Sequence, residues 1–568
     1  MITDYLLSLL IFLPITASVV MLILPKEWDH SFKWIALVVS LLQAVLLIPV
    51  FNGFDPSLSD PGSMSGFQWL EYREWINLDL GNLGILSAHY FLGLDGLNVW
   101  MVVLSVLILL VSVIASWKVK DRRRGYFALF LLLNGAIIGC FTSLDFLLFY
   151  LFFEFMLLPM FFLIGLWGGP RKDYAAIKFF LYTLFGSVLI LIVMIALYLS
   201  VIDPVSTAGE LMVDAETVQI LLKNGEIPAN RIVHTFNMIF MTDPGNIIPG
   251  SLLDKFNETV FVGLSLRMWA FLLVFAGFAI KVPLVPVHTW LPDAHVEAPT
   301  AISVILAGVL LKVGGYGMIR AGYFIFPDGA THFAWLVALL GVISIIYGAM
   351  NALASKDLKR LVAYSSVSHM GFVALGIASN TAEGIGGAIY QLFSHGIISA
   401  ALFILVGVIY DRTHDRSISN YSGLASKMPA FTVLSVLFFF ASMGLPGMSG
   451  FIAEILVLLG AFASQLVNGF VSRTYAAIAV LGMILSAAYY LWTLQRMYFG
   501  EFFVRKSGAS LPDLDRREYV MLIPLGILAI VLGIFPSLFL DWINPMINSM
   551  IDLISVHAKE LLMTSRGV

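Results

Sequence analysis

The sequence predicts an all-α polytopic membrane protein with about 14 transmembrane helices, two inverted five-helix repeats, and breaks in helices 7 and 12. Three observations carry this. Of 568 residues, 60% are hydrophobic and only 12% charged, about half the charge of a soluble domain. Apolar windows of bilayer length recur along the chain. Two of those windows, 263–288 and 430–463, are interrupted by prolines and glycines beside a charged residue. Lipid satisfies neither a freed backbone group nor a buried charge, so such interruptions mark an ion path.

The windows fall at 5–25, 31–51, 89–116, 125–141, 144–166, 175–201, 263–288, 298–320, 332–354, 361–379, 384–410, 430–463, 475–497 and 518–540. The first has an acidic start and a long apolar run, which reads as a membrane span and not as a cleaved leader. Alternating the loops between two sides collects most of the basic residues on one of them. That side holds Lys26, Lys33, Lys118, Lys120, Arg122, Arg123, Arg124, Arg171 and Lys172. Lys356, Lys359, Arg360, Arg412, Arg416, Lys427, Arg505, Lys506, Arg516 and Arg517 join them. The positive-inside bias makes this side cytoplasmic, and an even number of spans then puts both termini outside.

The window at 263–288 is broken by Pro283 and Pro286, beside Lys281. The window at 430–463 is broken at SMGLPGMSG (442–450), beside Glu454. Each break sits late in a block of five spans, 125–320 and 332–497. An odd block length sends the second block in from the opposite side, so the repeat is inverted. Residues 1–124 precede the blocks as three helices. Residues 498–568 follow as the fourteenth helix and a tail. Two outer segments are long, 52–88 and 203–259, and the second includes a helix-like stretch, AETVQILLKNG.

Composition also excludes several chemistries. The net charge of −4 argues against a nucleic-acid partner. A single cysteine, Cys140, rules out a disulfide within the chain, a multi-thiolate zinc site and an iron–sulfur cluster. No GxGxxG follows a strand and no P-loop is present, so no cofactor is expected in this chain. His288, Asp293, His295 and Glu297 cluster in sequence but lack a fixed helical spacing, and no metal is expected there.

The candidate residues are the ionisable ones inside the windows. Glu154 lies about ten residues into its window, roughly 15 Å deep. Lys281 is comparably deep, beyond the reach of snorkelling. Lys312, in LKVGGYG, is flanked by glycines that permit close packing or water. Burial and pairing act oppositely on a lysine, so a Lys281 whose contact with an acid changes becomes an electrostatic switch, with Glu154 as the candidate acid. Lys178 lies one turn in from a basic loop, where snorkelling and function are equally good readings. His369 and His395 suit proton passing or structural hydrogen bonding. Asp145 is placed to cap a helix, and Asp95 to do structural work near a helix start.

VPVHTWLPDAHVEAPT after Lys281, LKVGGYG with Lys312, and SKDLKRLVAYSSVSHMG (355–371) resemble the antiporter-like subunits of respiratory complex I, relatives of multisubunit sodium/proton antiporters and membrane-bound hydrogenases. The resemblance runs through nearly the whole chain. It implies 14 helices, half-channels joined by a central polar axis, and functional residues at Glu154, Lys281, Lys312 and Glu454. GFIAE, ending in Glu454, resembles the M-type branch, as does EFMLLPMFFLIGLWGGPRKDYAAIKFFLYTLFGS (154–187). The implied function is proton translocation in the membrane arm of an NADH:quinone oxidoreductase, in a bacterial inner membrane. The implied neighbours are L-type and N-type subunits and lipid. A subunit of a sodium/proton antiporter or an energy-converting hydrogenase is the neighbouring reading.

Overall fold

The structure, a computed structural model, describes residues 3–255, 257, 259–505 and 511–565; Lys506 lies outside them. Among the described residues, thirteen helices are long and apolar enough to cross a membrane. We number the spans in chain order. Spans 1 to 6 are Leu6–Ile23, Phe32–Gly53, Val99–Lys118, Arg123–Thr142, Phe146–Trp167 and Lys172–Ser200. Spans 8 to 11 are Thr300–Tyr323, Ala334–Ala354, Leu358–Ala378 and Ala382–Thr413. Spans 13 and 14 are Arg473–Met497 and Arg516–Ile534.

Spans 7 and 12 are broken. Span 7 comprises 7a (Leu266–Lys281) and 7b (Trp290–Glu297), and span 12 comprises 12a (Pro429–Ser442) and 12b (Ser449–Val467). The protein is therefore a polytopic helical membrane protein.

Burial orders the spans. Spans 8 and 11 are fully enclosed and span 10 is 94% buried, whereas spans 1, 2, 6 and 13 bury less than two fifths of their most apolar stretch. The outer spans thus leave apolar surface that this chain does not cover, and anything polar on spans 8, 10 and 11 sits inside protein.

Loop contacts sort into two faces, as alternating spans require. On one face Arg123 pairs with Asp29 (2.8 Å), Lys118 with Asp411 (3.3 Å) and Arg416 with Asp357 (3.3 Å). On the other, Ser143 bridges Leu92, Asn237 bridges Asp145, and Arg267 pairs with Asp328 (2.9 Å).

The break in span 7 differs from its expected extent. Residues 290–297, expected as loop, form half-helix 7b. The prolines end 7a, and the freed groups find partners: Trp290 Nε1 donates to the Ile280 carbonyl (2.9 Å), and the Val285 amide donates to Ser344 Oγ (2.9 Å). In span 12, Gly444 has φ +74°, and a Cβ there would lie 2.8 Å from Glu454 Oε2. Glycine is what lets the broken backbone approach that carboxylate.

The second of these faces carries structure that the periodicity missed. Strands β1 (Gln68–Asp79) and β2 (Ile85–Leu94) pair antiparallel, and β3 (Val233–Thr235) joins β2 in parallel. Span 3 therefore starts at Val99 and not near 89, because 85–94 is an apolar strand. Segment 203–259 folds over its own small core of Ile202, Ala208, Val218, Leu222 and Ile232. Span 14 ends at Ile534, where Pro536 interrupts the window. Residues 541–565, expected as tail, belong to the helix Ser537–Ser565. Its Phe539, Ile543, Met546, Ile547, Met550 and Ile554 are buried at three- and four-residue spacing.

One contact fixes the start of the chain to this sheet. Glu71 Oε1 accepts from the amides of Leu7 (2.7 Å) and Ser8 (3.1 Å), and Oε2 accepts from Ser8 Oγ. Glu71→Ala leaves those helix-end amides without an acceptor, at a cost of about 1–3 kcal/mol. The expected result is faster amide hydrogen exchange at residues 6–8, partly restored by Glu71→Gln.

Candidate functional site

The enclosed spans bring four ionisable residues into one file. Span 8 leaves α-helical geometry twice, in wide π-helical turns at Leu306–Leu310 and Met318–Tyr323. Such turns recur at functional sites. Lys312, fully buried between them, donates Nζ to the Ala307 carbonyl of the first turn. Its Nζ is also 2.8 Å from His395 Nδ1 on span 11. With the lysine as donor, Nδ1 accepts and the proton of a neutral imidazole sits on Nε2.

His395 Nε2 has no protein partner. Its ring centroid lies 5.4 Å from that of His369 on span 10. His369 Nε2 donates to the Ser442 carbonyl at the end of 12a (2.9 Å) and is 3.4 Å from Glu454 Oε1 on 12b. His369 Nδ1 and Glu454 Oε2 lack partners. A small cavity lined by His369, Gln391, His395, Ser442 and Glu454 has room for about one water. A buried site with unpaired polar atoms on several sides suits such a water.

Lys281 and Glu154 stand beside this file. Lys281 ends 7a, 1% exposed, with Nζ making no hydrogen bond. The ammonium lies over the rings of Phe153 (5.0 Å) and Phe179 (5.7 Å), whose faces partly replace its hydration. Glu154, next to Phe153 on span 5, forms no ion pair with it: Lys281 Nζ and Glu154 Oε1 are both buried without a hydrogen-bond partner. Gly314, two residues past Lys312, packs where an added Cβ would come within 3.0 Å of Lys281 Cβ, so the two lysine-bearing spans touch backbone to backbone.

The remaining candidates lie elsewhere. Lys178 is not brought to the file: its Nζ pairs with Asp293 on 7b (2.8 Å), which also meets Arg360 of span 10 (3.3 Å). Asp145 caps span 5 by accepting from the Leu148 amide (3.0 Å). Among the described residues no three His, Cys, Asp or Glu side chains gather as metal ligands.

Three features were not expected from sequence. His295, weighed there only as a metal ligand, is fully buried, with neither ring nitrogen bonded and its ring stacked on Phe403 at 4.3 Å. Lys359 Nζ donates to the carbonyl of Ala298, the residue that closes the half-helix carrying His295. A cavity of about 160 Å³ opens at the basic face and is lined by Gly168, Glu297, Thr300, Lys359 and Arg416. Gln391 likewise carried no signal, being one polar residue in an apolar helix.

Comparisons with known proteins agree on the class of the molecule. A family model described as NADH:quinone oxidoreductase/Mrp antiporter, TM, matches residues 143–482. NADH-quinone oxidoreductase subunit M of Rhodobacter capsulatus is 40% identical over 551 residues, covering 96% of each chain. NADH-ubiquinone oxidoreductase chain 4 of Chondrus crispus is 36% identical over 548 residues, covering 95% of this chain and 96% of that one. A chain of respiratory complex I from Thermus thermophilus with bound NADH superposes with a TM-score of 0.74 at 29% identity, covering 96% and 99% of the two chains. A chain of the Mrp complex from Dietzia sp. DQ12-45-1b superposes at 0.73 with 19% identity, covering 98% and 99%, a likeness of fold alone.

Proposed function

The chain belongs to the NADH:quinone oxidoreductase/Mrp antiporter transmembrane family, whose model matches residues 143–482, and from this and its 40% identity to a subunit M over 96% of the chain we propose that it is the M-type proton-translocating subunit in the membrane arm of an NADH:quinone oxidoreductase. The observation that carries the reading is the file Lys312–His395–His369–Glu454. A chain of proton acceptors on three enclosed spans and a broken one has no structural need to be polar.

In this reading protons enter from the cytoplasmic cavity past Lys359 and His295 and load Lys312. They pass through His395, the bridging water and His369 to Glu454, which releases them outward or toward the neighbouring subunit. Lys281 is the switch. Its unpaired ammonium, tuned by Glu154, repels a proton on Lys312 when charged and admits one when neutral or drawn toward the acid. Moving one proton against 100 mV costs about 2.3 kcal/mol, which redox chemistry in partner subunits supplies. This chain holds no redox centre or cofactor of its own and meets no nucleic acid. Residues 125–320 and 332–497 are the two inverted units, flanked by 1–124 and 498–568. L-type and N-type subunits lie on either side within a bacterial inner membrane, and both termini face out.

His395→Met tests the file at its narrowest point. The complex is reconstituted in vesicles, and NADH-driven acidification is followed with NADH oxidation as the assembly control. Pumping is expected to fall by about a hundredfold, the scale of losing a positioned proton-transfer group. Undiminished pumping would remove His395 from the path.

A further inference from the structure

Span 8 carries a second polar line that the file does not use. Lys312, Tyr316 and Arg320 recur at four-residue spacing and so share one face of the helix. They lead from the middle of the membrane toward the outer sheet, about 12 Å along the axis. Tyr316 is fully buried, and its hydroxyl lies 3.4 Å from Arg320 Nε. At the far end Arg320 pairs with Asp95, in the turn before span 3, and their side chains are 4% and 1% exposed. Asp95 is itself fixed, accepting from the amides of Leu97 (3.1 Å) and Asn98 (3.0 Å). The guanidinium is boxed by the rings of Phe67 (5.3 Å) and Phe324 (5.5 Å). A small cavity reaches it from the outer side, with room for about one water.

A line of groups that begins at a proton-bearing lysine and ends at outer water is a short circuit unless something closes it. Guanidinium cannot close it by taking a proton, because it is always protonated. It closes it by turning the positive end of its ion pair with Asp95 toward Lys312, through Nε on the Tyr316 hydroxyl, which disfavours a proton approaching along that face. We propose that Arg320, held by Asp95, is the outer electrostatic stop of span 8, so that a proton on Lys312 leaves only along the file toward Glu454. This rests on the proton reading of the file.

The test uses the whole complex in vesicles, with passive proton entry under an imposed potassium diffusion potential read by a trapped pH dye. One variant neutralises the pair, Arg320→Gln with Asp95→Asn, and leaves no orphaned charge. A second, Arg320→Lys, keeps the charge. The neutral pair is expected to leak about tenfold faster than the unsubstituted complex, the ratio that about 1.4 kcal/mol of barrier sets, and the lysine variant to stay tight. Adding Lys312→Met to the neutral pair is expected to close the leak. Equal tightness of both variants overturns the proposal, as do equal leaks, a leak that survives Lys312→Met, or failure of both variants to assemble, which marks a purely structural pair. Full pumping by Lys312→Met alone would instead defeat the file itself.

Discussion

Lys312→Met is expected to abolish proton translocation through this chain, with NADH-driven acidification of reconstituted vesicles falling by about a hundredfold or more. The lysine is the junction of the site. Its Nζ holds the Ala307 carbonyl and His395 Nδ1 at once, the latter at 2.8 Å. Methionine fills nearly the same volume and packs well beside Gly314 and Gly315, so the enclosed bundle keeps its shape. What it removes is the amine that meets His395, a titratable group between the cavity at the basic face and the histidines of the file. A thioether neither donates nor carries a proton. Lys312→Arg is expected to pump no better than methionine, because a guanidinium stays charged and cannot release its proton to His395.

The largest effect on stability is expected from Arg412→Met, on the basic face. Arg412 donates to both oxygens of Glu518 (2.9 and 2.8 Å) and to the carbonyls of Val408, Pro512 and Asp513. Glu518 is 1% exposed and closes a capping box with Asp515 at the start of span 14. Asp513, beside it, accepts from the amides of Ala430 (2.8 Å) and Phe431 (3.0 Å) at the start of 12a. One arginine thus ties spans 11, 12a and 14 together. Removing it leaves a buried carboxylate without its counter-ion, which costs about 3–5 kcal/mol. The purified complex should lose this subunit at a lower temperature or denaturant concentration. Arg412→Met with Glu518→Met should recover part of the loss, since two apolar side chains of similar size replace the pair without an orphaned charge.

Much of this molecule was legible in its residues because lipid leaves a chain few options. Apolar length announces each span, and prolines beside Lys281 and Glu454 announce the two breaks. What periodicity hid has physical causes. Strand β2 is as apolar as the helix it precedes, so 85–94 merged with span 3. Half-helix 7b is only eight residues long and carries His295, Asp293 and Glu297, which made it look like a loop. The buried face of Ser537–Ser565 was masked because Pro536 and Pro545 punctuate its apolar run. At the site, individual residues stood out but their grouping did not. Lys178 and Lys281 look equivalent as charges in apolar runs, yet Lys178 is bound in an ion cluster with Asp293 while Lys281 lies over the rings of Phe153 and Phe179 with no hydrogen bond. His369 and His395 are 26 residues apart in sequence, and only the antiparallel packing of spans 10 and 11 puts their rings side by side.

The central claim is that Lys312 and Glu454 belong to one file, and protons translocated per NADH in a double-mutant cycle test it most directly. Lys312→Met, Glu454→Gln and their combination are compared in the same vesicles. Residues on one obligatory path are strongly non-additive, so the double variant is predicted to pump no worse than the weaker single one. Losses that multiply would place the two residues on separate routes and contradict the account.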